Sequence, residues 1–151
     1  MEHVIWCWLQ SIPLFWIHFI ASGVMLGIIW FVQVVHYPLY HAIDGVSFRN
    51  YHRRHMTRTS FVIAPVMLVE LGSGVGLLLA LNQFNEPSYF IFSMWLLAGI
   101  WTSTFCIQVP FHRKLDLGKN TRAIKWLVIT NWIRTILWTV RVVLLVLAEN
   151  A

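Results

Sequence analysis

Charge is scarce in this sequence. Only 11% of its 151 residues are Asp, Glu, Lys or Arg, against about 25% in a soluble domain, which excludes an ordinary water-soluble fold. Cysteine is nearly absent. Cys7 precedes the first expected membrane helix and Cys106 lies near the opposite end of the third, so a membrane's thickness separates them and each reads as a free packing residue, not half of a disulfide. No phosphate-binding glycine loop, nucleophile elbow or zinc-protease motif occurs.

Apolar residues fill the space that charge leaves. They make up 58% of the chain, with nine tryptophans, and they gather in four stretches at about residues 11–37, 59–81, 89–111 and 123–147. Each is long enough for the roughly 20 helical residues that cross a hydrocarbon core. The expected fold is all-α: one polytopic domain over residues 1–151, a four-transmembrane-helix bundle in the cell membrane with the lipid bilayer as its main partner. The first stretch reads as a permanent span. Glu2 stands where a cleaved signal carries basic residues, no small-residue cleavage site follows, and the apolar run is too long.

Basic residues set the orientation. Arg49, Arg53, Arg54 and Arg58 lie between spans one and two, and Arg113, Lys114, Lys119, Arg122 and Lys125 lie between three and four or at the start of four. The opposite side carries Glu2, Glu86 and Glu149 without Lys or Arg. The positive-inside rule then makes both termini extracytoplasmic and both longer loops cytoplasmic. The net charge of +5 belongs to a face that meets anionic headgroups, so it gives no reason to expect nucleic acid as a partner. Trp6, Trp8 and Tyr89 on the outside, and Tyr37, Tyr40, Tyr51 and Trp126 on the inside, fit interfacial aromatic belts. Trp101 and Trp138 lie deeper and fill the core or wall a pocket.

Helix packing is expected to follow the short connections. Residues 82–88 are few enough to make spans two and three an antiparallel hairpin, and Gly23-x3-Gly27 with Gly72-x3-Gly76 supply small-residue seams. Span one ends in FVQVVHYPL and span three in CIQVPFHRKL. Each places a glutamine (Gln33, Gln108) about a turn before a histidine (His36, His112), with a proline nearby, as a duplicated hairpin would.

The segment HYPLYHAIDGVSFRNYHRRHM holds four of the seven histidines. Helical spacing over residues 46–58 puts Phe48, Tyr51, His52, His55 and Thr59 on one side and the arginines on the other. His36, His41, His52, His55 and His112 can therefore share one level at the cytoplasmic rim. Imidazoles in that number suit iron, copper or zinc, or haem if His36 and His112 face each other; interfacial histidines that only meet water, lipid phosphate or backbone are the competing reading. Glu70 lies fifteen residues past His55, about 22 Å of rise, and His18 lies about 27 Å before His36, so neither belongs to that group.

A second polar set lies deeper. Glu70 and Arg134 are each about eleven residues from the cytoplasmic ends of their spans, roughly 16 Å in, and are expected to pair because lone charge there is costly. Asn131, Arg134, Trp138 and Arg141 form one stripe on span four. Arg141 lacks an obvious carboxylate, so it snorkels outward, bonds to carbonyls or to His18, or, with Arg134 and Asn131, receives an anionic or carbonyl-bearing ligand such as a lipid, quinone or carboxylate.

The histidine spacings resemble the boxes of membrane di-iron desaturases and hydroxylases, but this chain is much shorter and lacks their His-His pair. NWIRTILWTVR, QVVHYPL and YHRRH are similar to small four-span integral membrane proteins of no assigned function, which implies the four-helix architecture and no activity. Three functions remain open. One is metal- or haem-dependent redox or hydroxylation chemistry on a lipid-like molecule; another is a small carrier or ion-coupled transporter using Glu70, Arg134 and Arg141; the third is a non-catalytic membrane assembly subunit.

Overall fold

A computed structural model describes the backbone of residues 2–81, 84 and 86–150, and their side chains from Pro13 onward. Glu2, Trp6, Cys7 and Trp8 thus lie outside the described side chains. Helix α1 (Glu2–Phe31) runs through a π turn (Val32–His36) into α2 (Tyr37–Leu39) and a 3-10 turn (Tyr40–Ala42). Helix α3 spans Gly45–Leu78; α4 (Pro87–Ser103) passes through a second π turn (Thr104–Gln108) into α5 (Val109–Leu115); α6 covers Thr121–Asn150. The chain is all-helical, with four stretches long and apolar enough to cross a membrane: Pro13–Ala42, Gly45–Leu78, Pro87–Leu115 and Thr121–Asn150. These are spans one to four below. Large apolar side chains such as Ile20, Phe61, Leu68 and Trp95 point outward, as lipid contact requires.

Span two starts fourteen residues before the apolar boundary expected at 59, at an Asp44 cap whose Oδ2 accepts from the Val46 N–H at 3.0 Å. Its first three turns are amphipathic, with Phe48 and His52 fully buried and Arg49, Arg53 and Arg54 exposed. Lys119 donates to the carbonyls of His41 and Ile43, and Arg49 to that of Asp116, so the two basic loops hold each other. Tyr37 and Tyr40 are buried in this end of the core, not placed in an interfacial belt. Tyr51, Trp126 and Tyr89 are exposed. Cys106 is exposed and has no partner among the described residues.

The spans pack in the order two, one, four, three. Span one lies on two and on four, and four lies on three, whereas two and three scarcely touch despite their short connection. The expected hairpin contact is therefore confined to the joined ends, where Met94 lies against Gly74. A short loop restrains only the ends it joins, and the polar groups of both helices are drawn sideways onto spans one and four. The bundle is left open along one side.

Pro38 and Pro110 explain the π turns. Proline has no N–H and crowds the carbonyl four residues back, here Val34 and Cys106, each inside a π turn that widens the helix. Both prolines follow their π turn by two residues, so this register equates His36 with Gln108. The echo between spans one and three is thus a backbone likeness, and the expected pairings of Gln33 with Gln108 and His36 with His112 do not hold in it.

The glycine seams are likewise corrected. A Cβ on Gly23, Gly27 or Gly72 would meet nothing within 4 Å, and on Gly76 only the tip of Leu14 at 3.0 Å. Close approach occurs at Gly74, where a Cβ would lie 2.7 Å from His18 Cε1 and 2.8 Å from Met94 Sδ. Gly74→Ala is expected to destabilise the protein by about 1–3 kcal/mol through overpacking, and Gly72→Ala by much less. Unfolding in SDS with circular dichroism as readout checks the difference.

Candidate functional site

At the basic end the histidines do converge, as rings. His36 stacks on His55 with centroids 3.9 Å apart and planes 22° from parallel, and His52 stacks on His112 at 5.4 Å and 18°. Tyr40 meets His36, His52 and His55 edge-on, and Phe48 lies parallel to His52. His41 is exposed and lies outside these stacks.

Nitrogen lone pairs lie in the ring plane, so stacked imidazoles direct them side by side instead of to a shared point. Several are also engaged. His52 Nε2 donates to the His112 carbonyl at 3.2 Å and lies 3.4 Å from Asp116; His112 Nε2 meets the Tyr37 hydroxyl at 3.2 Å; His55 meets Thr59. Among the described residues no group of three His, Cys, Asp or Glu side chains is placed to hold a metal ion. The expectation of a metal centre at His36, His41, His52, His55 and His112 is not supported. The sequence placed four of these rings at one level, but spacing fixes which helix face a ring occupies and not how it turns about χ1 and χ2.

The deeper set differs from expectation in its pairing. Glu70 is bonded to Arg141, not to Arg134. Trp138 Nε1 donates to both Glu70 oxygens, at 3.1 and 3.3 Å. Arg141 also donates through Nε to the Ser93 carbonyl, through Nη1 to Ser22 Oγ and through Nη2 to His18 Nε2 at 2.7 Å. One fully buried guanidinium thus ties all four spans together. Of the readings open to Arg141, bonding to carbonyls and to His18 is the one that holds.

This arrangement fixes a tautomer. A guanidinium only donates, so His18 Nε2 accepts and the ring proton sits on Nδ1. Nδ1 then donates to Ser73 Oγ at 2.9 Å, and the Ser73 hydroxyl donates a hydrogen bond to the Val69 carbonyl at 2.6 Å. His18 is therefore neutral and fully used.

Arg134 is left without a carboxylate. It is 7% exposed, its Nη1 reaches only Asn131 Oδ1 at a long 3.4 Å, and its guanidinium carbon lies 5.3 Å from the Trp138 ring. Asn131 in turn donates to Gln33 Oε1, and Gln33 donates to the Val128 carbonyl. Arg134 Nε has no partner among the described residues. The seven helical steps from Arg134 to Arg141 are worth about 10 Å of rise, which is why Glu70 can serve only one of them.

Arg134 lines a cavity of about 330 Å³ on the open side of the bundle, walled by spans one, two and three. Both π turns border it, through Val32 and through Thr104, Phe105 and Gln108; such turns recur at functional sites. His55, Thr59, Ser60 and His112 supply the remaining polar wall, and Ile63, Met67 and Trp101 the apolar wall. Beside it, Trp101 Nε1, Gln108 Oε1 and His112 Nδ1 are buried without partners among the described residues. Gln108 Nε2 is spent on Thr130 Oγ1, so its free oxygen is an acceptor. The sequence signalled Arg134, Gln108, the histidines with Thr59 on their face, and Trp101 as a residue of the core or a pocket wall; Ser60 reaches the cavity because spans two and three part.

No family model, curated protein or solved structure matches this chain.

Proposed function

We propose that this chain is a multi-pass protein of the cell membrane, with both termini extracytoplasmic, that binds a membrane-resident amphiphile whose compact anionic head meets Arg134. The observation behind this reading is the charge imbalance: among the described residues two buried guanidiniums share one buried carboxylate. Glu70 is spent on Arg141, and a buried cation held by one long hydrogen bond and an indole face calls for an anion. A carboxylate fits best, because it accepts from a guanidinium through two parallel N–H bonds and its single negative charge matches the one guanidinium that lacks a carboxylate among the described residues. A hydroxyl or bound water would serve Gln108 Oε1. In the alternative reading of a small carrier or ion-coupled transporter using Glu70, Arg134 and Arg141, Glu70 would have to leave its ion pair with Arg141 to take part.

The experiment is equilibrium binding of radiolabelled palmitate to the purified protein in phosphatidylcholine nanodiscs. Wild type is expected to bind saturably, and Arg134→Gln at least tenfold more weakly, a difference of about 1.4 kcal/mol; Arg134→Lys should fall between, keeping charge but losing the fork. Equal binding by wild type and Arg134→Gln would overturn the proposal.

A further inference from the structure

The gap between spans two and three does not end at the cavity. Farther from the basic end it continues as a second hollow of about 690 Å³, lined by Leu71, Leu78, Ile91, Met94, Trp95 and Ala98 among others, all apolar. Trp101 lines both hollows. At the opposite end, His55 is shared between the Arg134 cavity and an exposed groove that includes Asn50, Arg54 and Arg58. One open side of the bundle is thus graded along its length: hydrocarbon-like at the far end, polar with a buried guanidinium in the middle, and basic where the loops lie.

The geometry points to a lateral cleft that admits a single long-chain carboxylate from the bilayer between spans two and three, with its chain along Leu78, Met94 and Ala98 and its head at Arg134. This inference rests on the binding proposed above and adds chain-length selectivity and a route. A chain laid there exchanges lipid contact for contact with the two helix faces, so nothing is gained from leaving water, and each methylene placed in the cleft contributes through the closer packing of a fixed groove. The polarity gradient fixes direction, since the reversed molecule would bury an unpaired carboxylate among Leu71, Leu78 and Met94. Spans two and three meet near Gly74 and Met94 and part toward the basic end, which leaves a side entrance open between them.

Ala98 is exposed toward the cleft and its replacement removes no packing. Binding of palmitate and of hexanoate is measured in nanodiscs for wild type, Ala98→Trp and Arg134→Gln, with Val62→Trp, on the exposed face of span two outside the cleft, as the control for added bulk. With both acids expressed as mole fractions in the disc lipid, so that partition into the bilayer cancels, wild type should prefer palmitate by at least tenfold. Ala98→Trp should lose at least tenfold for palmitate and keep hexanoate within twofold, and Val62→Trp should match wild type for both. Palmitate binding unchanged in Ala98→Trp would overturn the cleft while leaving the Arg134 site standing, and would mean that bulk lipid fills the hollow. Loss of both acids in Ala98→Trp would also overturn it, since the block would then act on the head. If Arg134→Gln binds both acids like wild type, the underlying site fails, and the cleft with it.

Discussion

Arg141→Met destabilises the protein by about 3–5 kcal/mol, the cost of leaving a buried charge without its partner, and Glu70→Met does so by a similar amount. The double substitution Glu70→Met with Arg141→Met recovers most of that loss, because it removes both charges and fills the space with apolar atoms. The reasoning starts from Arg141, which is fully buried and donates to groups on three other spans as well as carrying the charge that Glu70 balances. With Arg141 gone, Glu70 keeps only the Trp138 indole. With Glu70 gone, the guanidinium retains Ser22, His18 and the Ser93 carbonyl, none of them charged. Reversible unfolding in SDS, run as a double-mutant cycle, measures the coupling. Additive single effects, or single losses below about 1 kcal/mol, would contradict the pairing.

The four helices could be read directly from the sequence because apolar length is a cumulative property, and a few misplaced residues at each end do not alter it. Depth is another matter. The expected Glu70–Arg134 pair came from counting residues inward from two assumed boundaries, and span two begins at Gly45, well before its apolar stretch. Contacts set the true register: His36 against His55 and His18 against Ser73 carry the same offset along spans one and two, and that offset brings Glu70 level with Arg141. The amphipathic reading of residues 46–58 succeeded for the reason the depth count failed, since a helix face needs only local spacing and no reference to the membrane. The cavity was invisible in sequence. It depends on where two helices part, and the polar residues that pull span two onto span one, and span three onto span four, leave no periodic mark of that.

Arg134→Met should stabilise the ligand-free protein, the opposite sign from Arg141→Met, although both remove a buried arginine from the same helix. A cation well inside a membrane costs about 2.5–3.5 kcal/mol on insertion scales. Arg134 offsets this with an indole face, worth about 2 kcal/mol when desolvated, and with one 3.4 Å bond to Asn131. Methionine keeps the stem's packing without the charge, so a gain of about 0.5–1.5 kcal/mol is expected by that difference. Added palmitate should reverse the ranking. A ligand at a hundred times its dissociation constant stabilises the wild type by about 2.7 kcal/mol, and Arg134→Met, having no cation for the carboxylate, gains far less. Thermal unfolding of both proteins in detergent, with and without palmitate, gives the crossing directly. If ligand-free Arg134→Met is instead as damaged as Arg141→Met, then Arg134 is a structural member of the bundle, and its freedom from partners has a cause other than a waiting ligand.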